Sequence, residues 1–356
     1  MTLDIGAARD DGDVESFARL ADEVFFGGRS SFRMRYPAAF SSGNSENLLV
    51  ARDGARVVAG VASYRARLRL APTLVLETAA IGAVCTAPDH RGSGISTQLL
   101  EMTRGRAIEE GVHLLLISGT GPLYQRLGGR EVGALDELHA RLDELPVGAG
   151  TYHRHERPEA ALVDECWAAY EREAVRFERT PDEFAILLAG HLHPFENETA
   201  ALLTSSQVNG YAIVRTGMEG SERVGFLVEH AGDVDHWLSI AVAEARQQGC
   251  ARFFTRLPAA PRSWHGRVEP TPMTGVIAIA DAAAAFALIV DHLNQQAGVQ
   301  RWEIDARSDG LTLREGGRDV VTGDNGDPLR FLWGGPDREP APWRLPSFRP
   351  DGLNFL

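Results

Sequence analysis

The order of apolar and polar positions in the first part of the chain predicts a mixed α/β domain. Residues Leu74–Thr86 alternate between apolar and polar and then become continuously apolar, which is typical of a strand that enters the interior of a sheet. Helix-forming residues at Ser96–Ala107 and a second apolar strand at Val112–Ile117 follow. An opening helix at Asp13–Phe25 and a hairpin that ends with Arg56–Leu70 precede them.

The turn between the Leu74–Thr86 strand and the next helix has the features of a pyrophosphate site. Gly92 and Gly94 allow positive φ angles and let a ligand approach the backbone without a Cβ in the way. The amides at the start of a helix have no intrahelical partner, and together with the helix dipole they attract phosphate. A glycine turn can also serve packing alone. The neighbouring residues are needed to distinguish a pyrophosphate site from a packing turn.

The same order of elements is predicted again after a glycine-rich linker, with one change. Helical segments at Pro158–Arg176 and Pro181–Gly190 precede a hairpin, a helix and a strand. Where the first copy has its glycine turn, the second has Gly232-Asp233-Val234-Asp235, which places two carboxylates at the start of a helix. Like charges repel a pyrophosphate there, so we expect the second copy to bind no cofactor.

The remainder of the chain predicts a small third unit. An alanine-rich helix at Asp281–Gln296, three short strands and a short helix precede a proline-rich tail. A chain of 356 residues is too long for one ordinary core. We therefore expect an α/β protein with mixed sheets and three domains, at residues 1–145, 151–272 and 273–356.

Composition narrows the class of protein. There is no apolar run of membrane length and the first residues do not form a signal peptide, so a soluble cytoplasmic protein is expected. The net charge of -13 disfavours nucleic acid and anionic membranes as partners and favours a cationic ligand such as an amine. The three cysteines lie far apart, and the pairs His153-x-His155 and His191-x-His193 lack a third ligand, so no metal is expected.

The glycine turn resembles the acyl-coenzyme A signature of the GNAT acetyltransferases, Arg/Gln-x-x-Gly-x-Gly/Ala. Arg91, Gly94 and the small residue Ser96 occupy its positions, and Gly121–Gly128 is similar to the Leu-Tyr-x-x-x-Gly-Phe element of that family, with Gly129 in place of the phenylalanine. The resemblance implies that acetyl-CoA is the co-substrate. It also implies that the turn binds the pyrophosphate and the strand amides bind the pantetheine arm. The expected cofactor-binding residues are Val84, Cys85, Thr86, Arg91, Gly92, Ser93, Gly94, Ile95 and Ser96.

Two GNAT-like domains followed by a small α+β unit are similar to the enhanced intracellular survival (Eis) family, whose third domain has a sterol-carrier-protein-like fold. That resemblance implies two catalytic groups: Tyr124 as general acid for the departing thiolate, and the C-terminal carboxylate of Leu356 as base. A phenol with a pKa of about 10 is a weaker acid than a thiol at about 8.5, so a lowered pKa would be needed. A tyrosine that only positions the thiol, and a tail that anchors the cation or packs for stability, remain the alternatives.

An aromatic segment after the first helix is expected to form the acceptor site. Aromatic rings can wall a cleft and attract an amine by cation-π interaction, while a nearby carboxylate pairs with its charge. Packing in the core is the alternative for such rings. The expected substrate-binding residues are Asp22, Glu23, Phe25, Phe26, Phe32 and Tyr36.

Together these features predict an acetyl-CoA dependent N-acetyltransferase that acts on a cationic small molecule, which the resemblance suggests is aminoglycoside-like or a polyamine. Direct transfer is expected, because no cysteine stands beside a base in the motif region. A non-catalytic acyl-CoA or lipid sensor and a protein lysine or N-terminal acetyltransferase are the alternatives. The resemblance also implies a homo-oligomer, with a hexamer as one form.

Overall fold

The computed structural model describes residues 3–29, 31–145, 151–273, 275–298, 301–307, 310–323, 326–335 and 344–349. Within these residues the chain forms two seven-stranded sheets and one three-stranded sheet. The strands are β1 Asp4–Ala7, β2 Leu48–Asp53, β3 Arg56–Ala71, β4 Leu74–Thr86, β5 Leu114–Ile117, β6 Leu135–Arg141, β7 His153–His155, β8 Arg176–Glu178, β9 Thr199–Thr204, β10 Tyr211–Glu219, β11 Glu222–Ala231, β12 Arg252–Leu257, β13 Arg267–Thr271, β14 Val276–Ile279, β15 Trp302–Arg307, β16 Gly310–Glu315 and β17 Arg318–Gly323. The helices are α1 Asp11–Phe26, α2 Phe32–Arg35, α3 Ile95–Glu109, α4 Pro122–Arg126, α5 Ala160–Tyr170, α6 Pro181–Leu192, α7 Val234–Gln247, α8 Ala282–Ala297 and α9 Gly326–Trp333.

The first sheet has the order β1-β2-β3-β4-β5-β14, and β8 also pairs with β3. Its pairs are antiparallel except β4 with β5, which are parallel because α3 carries the chain back between them. The helix α1 starts at the N-cap Asp10, and its Phe17 packs so closely on Gly60 of β3 that no Cβ would fit there. This packing places α1 and α3 on a common core with the centre of the sheet.

The second sheet has the order β13-β6-β12-β11-β10-β9-β7, and α7 packs against β10 and β11. The third sheet, β15-β16-β17, packs with α8 and α9. Each sheet together with the helices packed on it is called a unit, numbered first to third in this order. The mixed α/β fold class is thus confirmed. That the last unit has a sterol-carrier-protein-like fold stays a prediction. In the part of the chain that the structure describes, every helix is too short or too polar to cross a lipid bilayer.

Three strands cross the expected domain boundaries. β6, expected in the first domain, lies between β12 and β13 in the second sheet, whereas β14, expected in the third domain, pairs with β5 in the first sheet. β8, expected in the second domain, pairs with β3 of the first sheet. The expected boundaries are therefore wrong for these strands. The physical reason is that each strand covers an edge that would otherwise expose unpaired backbone groups, and an apolar pattern does not record which edge it covers.

Candidate active site

The strand β4 separates from β5 near its carboxyl end and stays paired with β3. Its pairing with β5 stops at Ile81 and Ile117, and its register with β3 shifts so that Ala83 and Val84 face one residue of β3. Ala83 has a φ of 49°, in the left-handed region, which costs a non-glycine residue on the order of 1–3 kcal/mol. Beyond Ile81, β4 pairs with no further strand on its β5 side within the described residues. Its backbone groups there are available to an extended ligand.

The helix α3 begins directly after this opening with uncapped amides. Its N-cap is Gly94, with a φ of 79° and no side chain to accept a hydrogen bond, and Gly92 has a φ of 80°. Within the described ranges, the backbone amides of residues 92–97 donate to no acceptor. By contrast α1, α6, α7 and α8 each begin with a side-chain cap. The start of α3 is therefore a site of concentrated, unused donors, which is where an anion binds.

Side chains of the turn fasten it to the end of β4 and leave its amides open. The hydroxyl oxygens of Ser96 and Thr86 lie 2.7 Å apart, and Arg91 Nε donates to the Thr86 carbonyl at 3.2 Å. Ser93 Oγ donates to the His90 carbonyl at 2.6 Å. Ser96, the departure from the Gly/Ala of the family signature, thus directs its hydroxyl to β4, which explains why this position accepts a serine.

One pocket of about 380 Å³ joins the open strand edge and the uncapped helix start. All nine predicted cofactor-binding residues line it, together with Tyr124 and Phe25. The sequence analysis missed four further lining residues, Val24, His90, Thr97 and Leu123. Three of these adjoin predicted motif residues in the chain, and that proximity is the signal that could have found them.

A larger cleft on the second sheet has a different character. It measures about 630 Å³ and is lined mainly by arginine and glutamate side chains. Several of these pair with each other, as Arg256 does with Glu137. Mutual pairing satisfies the charges, so this cleft offers a ligand less than the uncapped amides of the smaller pocket do.

Tyr124 lies in the pocket with its ring packed on the chain that follows β5. The ring leaves no room for a Cβ on Gly119 and contacts the core of the first unit. Burial, with a smaller contribution from Cys85, raises the pKa of the Tyr124 hydroxyl. The general-acid role expected from the sequence needs a lowered pKa, so the ligand-free pocket shifts it in the wrong direction. A neutral hydroxyl that donates a hydrogen bond fits this environment better.

Cys85 is the cysteine that lines this pocket. Its side chain is buried, and burial raises the pKa of the thiol to about 12. A thiol with so high a pKa supplies almost no thiolate at neutral pH. This environment agrees with direct transfer that uses no cysteine nucleophile.

Of the six predicted acceptor residues, only Phe25 lines the pocket. Its ring is 48% exposed, whereas Phe32 is 6% exposed at the centre of an aromatic cluster. The ring of Phe32 lies 5.5 Å from that of Phe25, 5.4 Å from that of Phe26 and 5.5 Å from that of Tyr36. Direct contact with a ligand is therefore wrong for Phe32 in this structure, because the ring is enclosed by its neighbours.

The two predicted carboxylates are also placed away from the pocket lining. Asp22 Oδ1 accepts a hydrogen bond from the Phe32 amide at 2.6 Å, so it holds the chain at the start of α2. Burial raises the pKa of Asp22, although that hydrogen bond opposes the shift. Glu23 is exposed on the surface of α1. Neither residue stands where an amine beside Tyr124 would meet it directly.

The predicted catalytic carboxylate, Leu356, lies outside the described residues. The last described segment, residues 344–349, packs among the three units. Ala134 donates to Ser347 Oγ at 3.2 Å, and the buried Phe348 packs edge-on against Phe177. The expectation that the tail reaches the active site stays a prediction.

The segment ends in the second unit, at the counterpart of the β4 opening. There β11 and β12 run parallel, pair only as far as Phe226, and a register shift beside Val228 bends β11. Arg349 fills this second opening: its Nη2 donates to the carbonyls of Leu227 and Val228 at 2.9 and 2.8 Å.

The start of α7, the helix that follows β11, is capped by a side chain. Its N-cap is Asp233, whose carboxylate accepts a hydrogen bond from the His236 amide at 2.7 Å. A carboxylate in this position satisfies the helix dipole and excludes a phosphate.

No cluster of three or more metal-binding side chains occurs in the described ranges. The histidine pairs considered above have other contacts. His155 Nε2 lies 3.0 Å from Thr204 Oγ1, and His191 Nδ1 lies 3.0 Å from a guanidinium nitrogen of Arg215.

Comparison with known proteins agrees with this geometry. Residues 7–131 match the family model described as an acetyltransferase (GNAT) domain, and no curated protein matches the sequence. Similar solved structures include Eis1 from Mycobacterium abscessus, at 14% identity over 90% of this chain and 85% of that chain, with a TM-score of 0.57. A GCN5-related N-acetyltransferase from Anabaena variabilis ATCC 29413 is 12% identical over 91% and 86%, with a TM-score of 0.57. A probable N-acyltransferase from Enterococcus faecalis V583 is 13% identical over 80% and 74%, also at 0.57. At such identities the likeness shows a shared fold.

Proposed function

We propose that this chain, whose residues 7–131 match an acetyltransferase (GNAT) domain, transfers an acetyl group from acetyl-CoA to the amine of a cationic small molecule. One observation carries the proposal: the uncapped amides of α3, the open edge of β4 and Tyr124 share one pocket of about 380 Å³. That volume lies within the usual range of sites for small ligands.

The residues present fit a coenzyme A thioester. The amides of residues 92–97 and the dipole of α3 would hold the diphosphate, and a Cβ at Gly92 or Gly94 would meet nothing within 4 Å. On the side of β4 away from β3, residues 82–86 pair with no strand in the described residues, and their backbone groups there would bind the amides of the pantetheine arm. Val24, Phe25 and Leu123 supply apolar surface in the same pocket.

In the proposed mechanism the neutral amine attacks the thioester carbonyl, and the carbon–sulfur bond breaks as the thiolate departs. Backbone amides at the open edge of β4 polarise the carbonyl. The Tyr124 hydroxyl, kept neutral by its raised pKa, donates a hydrogen bond to the sulfur as negative charge develops there. The amine loses one proton to a base, for which the carboxylate of Leu356 remains the proposed group.

Two observations support a cationic acceptor. The chain carries a net charge of -13, which draws cations by long-range attraction. The exposed ring of Phe25, in the same pocket as Tyr124, can bind an ammonium group by cation-π interaction. An aminoglycoside-like compound or a polyamine therefore remains the proposed acceptor, and a homo-oligomer the proposed assembly.

The test combines calorimetric titration of acetyl-CoA with a turnover assay against a panel of amines. Binding together with acetylation of a small amine supports the proposal. Binding without turnover of any amine favours the sensor alternative, and acetylated lysines or N-termini in partner proteins, read by mass spectrometry, favour the protein acetyltransferase. Absence of acetyl-CoA binding at millimolar concentration overturns the assignment of the pocket.

A further inference from the structure

The wall of the pocket that carries Phe25 lies at the carboxyl end of α1, where the chain turns towards α2. We define the elbow as residues 24–29 and 31–36, which comprise the last residues of α1, the connection that follows and α2. Val24 and Phe25, its first residues, line the pocket beside Tyr124. Gly27 and Gly28 follow with φ angles of 61° and 76°. Their amides donate to the carbonyls of Glu23 and Asp22 at 3.1 and 2.9 Å, which bonds the elbow to α1, and contacts from the second unit add a separate anchor at its α2 end.

The second unit supplies an aromatic contact. Phe195 belongs to the loop between α6 and β9, and its ring lies 4.5 Å from that of Phe26 and 6.5 Å from that of Phe32. Phe32 in turn contacts Phe25 at 5.5 Å. A continuous series of rings thus runs from the second unit to the wall of the pocket.

Arg35, at the end of α2, supplies a polar contact to the same loop. Its side chain is 1% exposed, and Nη1 donates to the His193 carbonyl at 2.7 Å. Nη2 lies 3.3 Å from Glu198 Oε2, and the guanidinium carbon lies 4.5 Å from the centre of the Phe195 ring. Glu198 Oε2 also accepts from the Phe195 amide at 3.1 Å, so one carboxylate holds both the loop and Arg35.

We propose that Arg35 is a positioning residue for the acceptor side of the pocket, and that the second unit serves as its platform. Docked on the loop at residues 193–198, Arg35 fixes α2 and the elbow, and the elbow holds Phe25 in the pocket wall. This inference rests on the proposed function, because it assumes that the amine enters beside Phe25. The proposed contacts to the diphosphate and the pantetheine amides come from β4 and the start of α3, which lie outside the elbow, and the elbow adds only apolar surface from Val24 and Phe25. A loosened elbow therefore weakens acceptor binding far more than donor binding.

The test uses Arg35→Met with Arg52→Met as its matched control. Arg52 is a buried arginine of the same unit, 3% exposed on its side chain, and it pairs with Asp13 near the other end of α1 at 2.6 Å. Removal of Arg35 does not leave the Glu198 carboxylate without a cationic neighbour, because Arg215 Nε still lies 3.9 Å from it. Both variants should lose stability, which makes stability alone uninformative.

The expected result is specific to Arg35. In Arg35→Met the KM for the amine rises about tenfold or more, while the Kd for acetyl-CoA stays within about twofold, since small displacements of a binding wall are costly. In Arg52→Met neither constant changes by more than about twofold. Arg35→Lys recovers part of the acceptor affinity. Phe195→Leu, which removes the ring without burying a new charge, repeats the rise in KM if Arg35→Met does not fold.

Hydrogen exchange provides a readout that needs no turnover. Faster exchange of the elbow amides in Arg35→Met than in Arg52→Met supports docking through Arg35. Equal KM values in the two variants, or unchanged exchange of the elbow in Arg35→Met, overturn the inference. If the wild-type chain binds no acetyl-CoA, the proposed function fails, and the exchange comparison still decides whether Arg35 docks the elbow.

Discussion

Two pairs of parallel strands separate in this molecule, and they end in opposite situations. β4 and β5 part after Ile81, and the opening leads to a pocket with unused amides. β11 and β12 part after Phe226, and Arg349 fills the opening with hydrogen bonds to two carbonyls of β11. The helix that follows is uncapped in the first case and capped by Asp233 in the second. The fold thus provides the opening, and the residues around it decide whether a ligand can enter.

The side chains that β4 and β11 place beside the two openings differ as well. Counted from the last paired residue, Glu229 on β11 holds the place of Val84 on β4. Val84 lines the open pocket, whereas the carboxylate of Glu229 is buried, with both oxygens 2.9 Å from Arg179 and one 2.6 Å from the Tyr211 hydroxyl. In the second opening this position is therefore taken by a buried carboxylate that is hydrogen-bonded within the protein.

The largest expected effect comes from giving the first unit the carboxylate of the second. In Gly94→Asp the affinity for acetyl-CoA should fall at least about a hundredfold, because a like charge at about 4 Å costs on the order of 4 kcal/mol at an effective dielectric of 20. The aspartate would also be strained at a φ of 79°. Calorimetric titration measures the change. Gly105→Asp, on an exposed position of the same helix, is the control and should bind acetyl-CoA normally. Unchanged binding in Gly94→Asp would contradict the assignment of the diphosphate site.

Tyr124→Phe tests the chemistry that only the first opening carries. We expect kcat to fall about a hundredfold, with the Kd for acetyl-CoA within about twofold, because the variant loses the hydrogen bond to the departing sulfur. Since burial raises the pKa of the phenol, the wild-type kcat should show no decline from its ionisation below about pH 10. Steady-state kinetics across pH check both points. A wild-type kcat that falls with a pKa near 8, and loses that step in Tyr124→Phe, would restore the acid role.

Arg349→Met tests whether the second opening is closed by its occupant. Removal of hydrogen bonds from a charged group to buried carbonyls should lower the free energy of unfolding by about 2–3 kcal/mol. Arg314→Met, a surface variant that loses a 2.7 Å pair with Asp319, should change it by less than about 1 kcal/mol. Urea unfolding gives both values. The stoichiometry of acetyl-CoA should stay at one per chain, since Asp233 still caps α7; a second binding event would show that Arg349 alone keeps the opening silent.

The smallest expected effect is a pH dependence of stability from His230 in the second opening. Burial, and then the charge of Arg349, lower the pKa of His230 from 6.5 to about 4. Between these values the unfolded chain binds the proton and the folded chain does not, so stability falls as the pH drops from 7 towards 4. At pH 5 the loss is about 2 kcal/mol. Unfolding curves of His230→Gln at pH 7 and pH 5 should lack this part of the decline, whereas those of the exposed variant His265→Gln should keep it.

Local elements and the lining of the pocket were predictable because their signals are local. β4 has the predicted bounds, Leu74–Thr86, and the glycines of the turn adopt the positive φ angles that their positions require. All nine predicted cofactor-binding residues lie within thirteen positions of the chain, so one turn brings them into the same pocket. The helix predicted at Pro158–Arg176 was correct only as far as Tyr170, beyond which β8 forms against a distant strand.

The remaining features depend on contacts between distant parts of the chain. Phe195 of the second unit joins the aromatic cluster around Phe32, and no pattern near either residue indicates this contact. The raised pKa of Tyr124 follows from burial in a three-dimensional environment. Arg349 meets Leu227 through the path of the tail across all three units. Periodicity describes how one segment folds and does not identify its partner.

The position of β14 has a consequence for how the enzyme is made. During synthesis β5 leaves the ribosome long before Val276–Ile279, and until those residues arrive its outer edge has no strand to cover it. The unit that carries the pocket is therefore completed only after most of the chain has been translated. A prematurely terminated chain that contains every pocket residue would still lack β14, the strand that completes the first sheet. The uncovered edge of β5 would then be open to edge-to-edge aggregation.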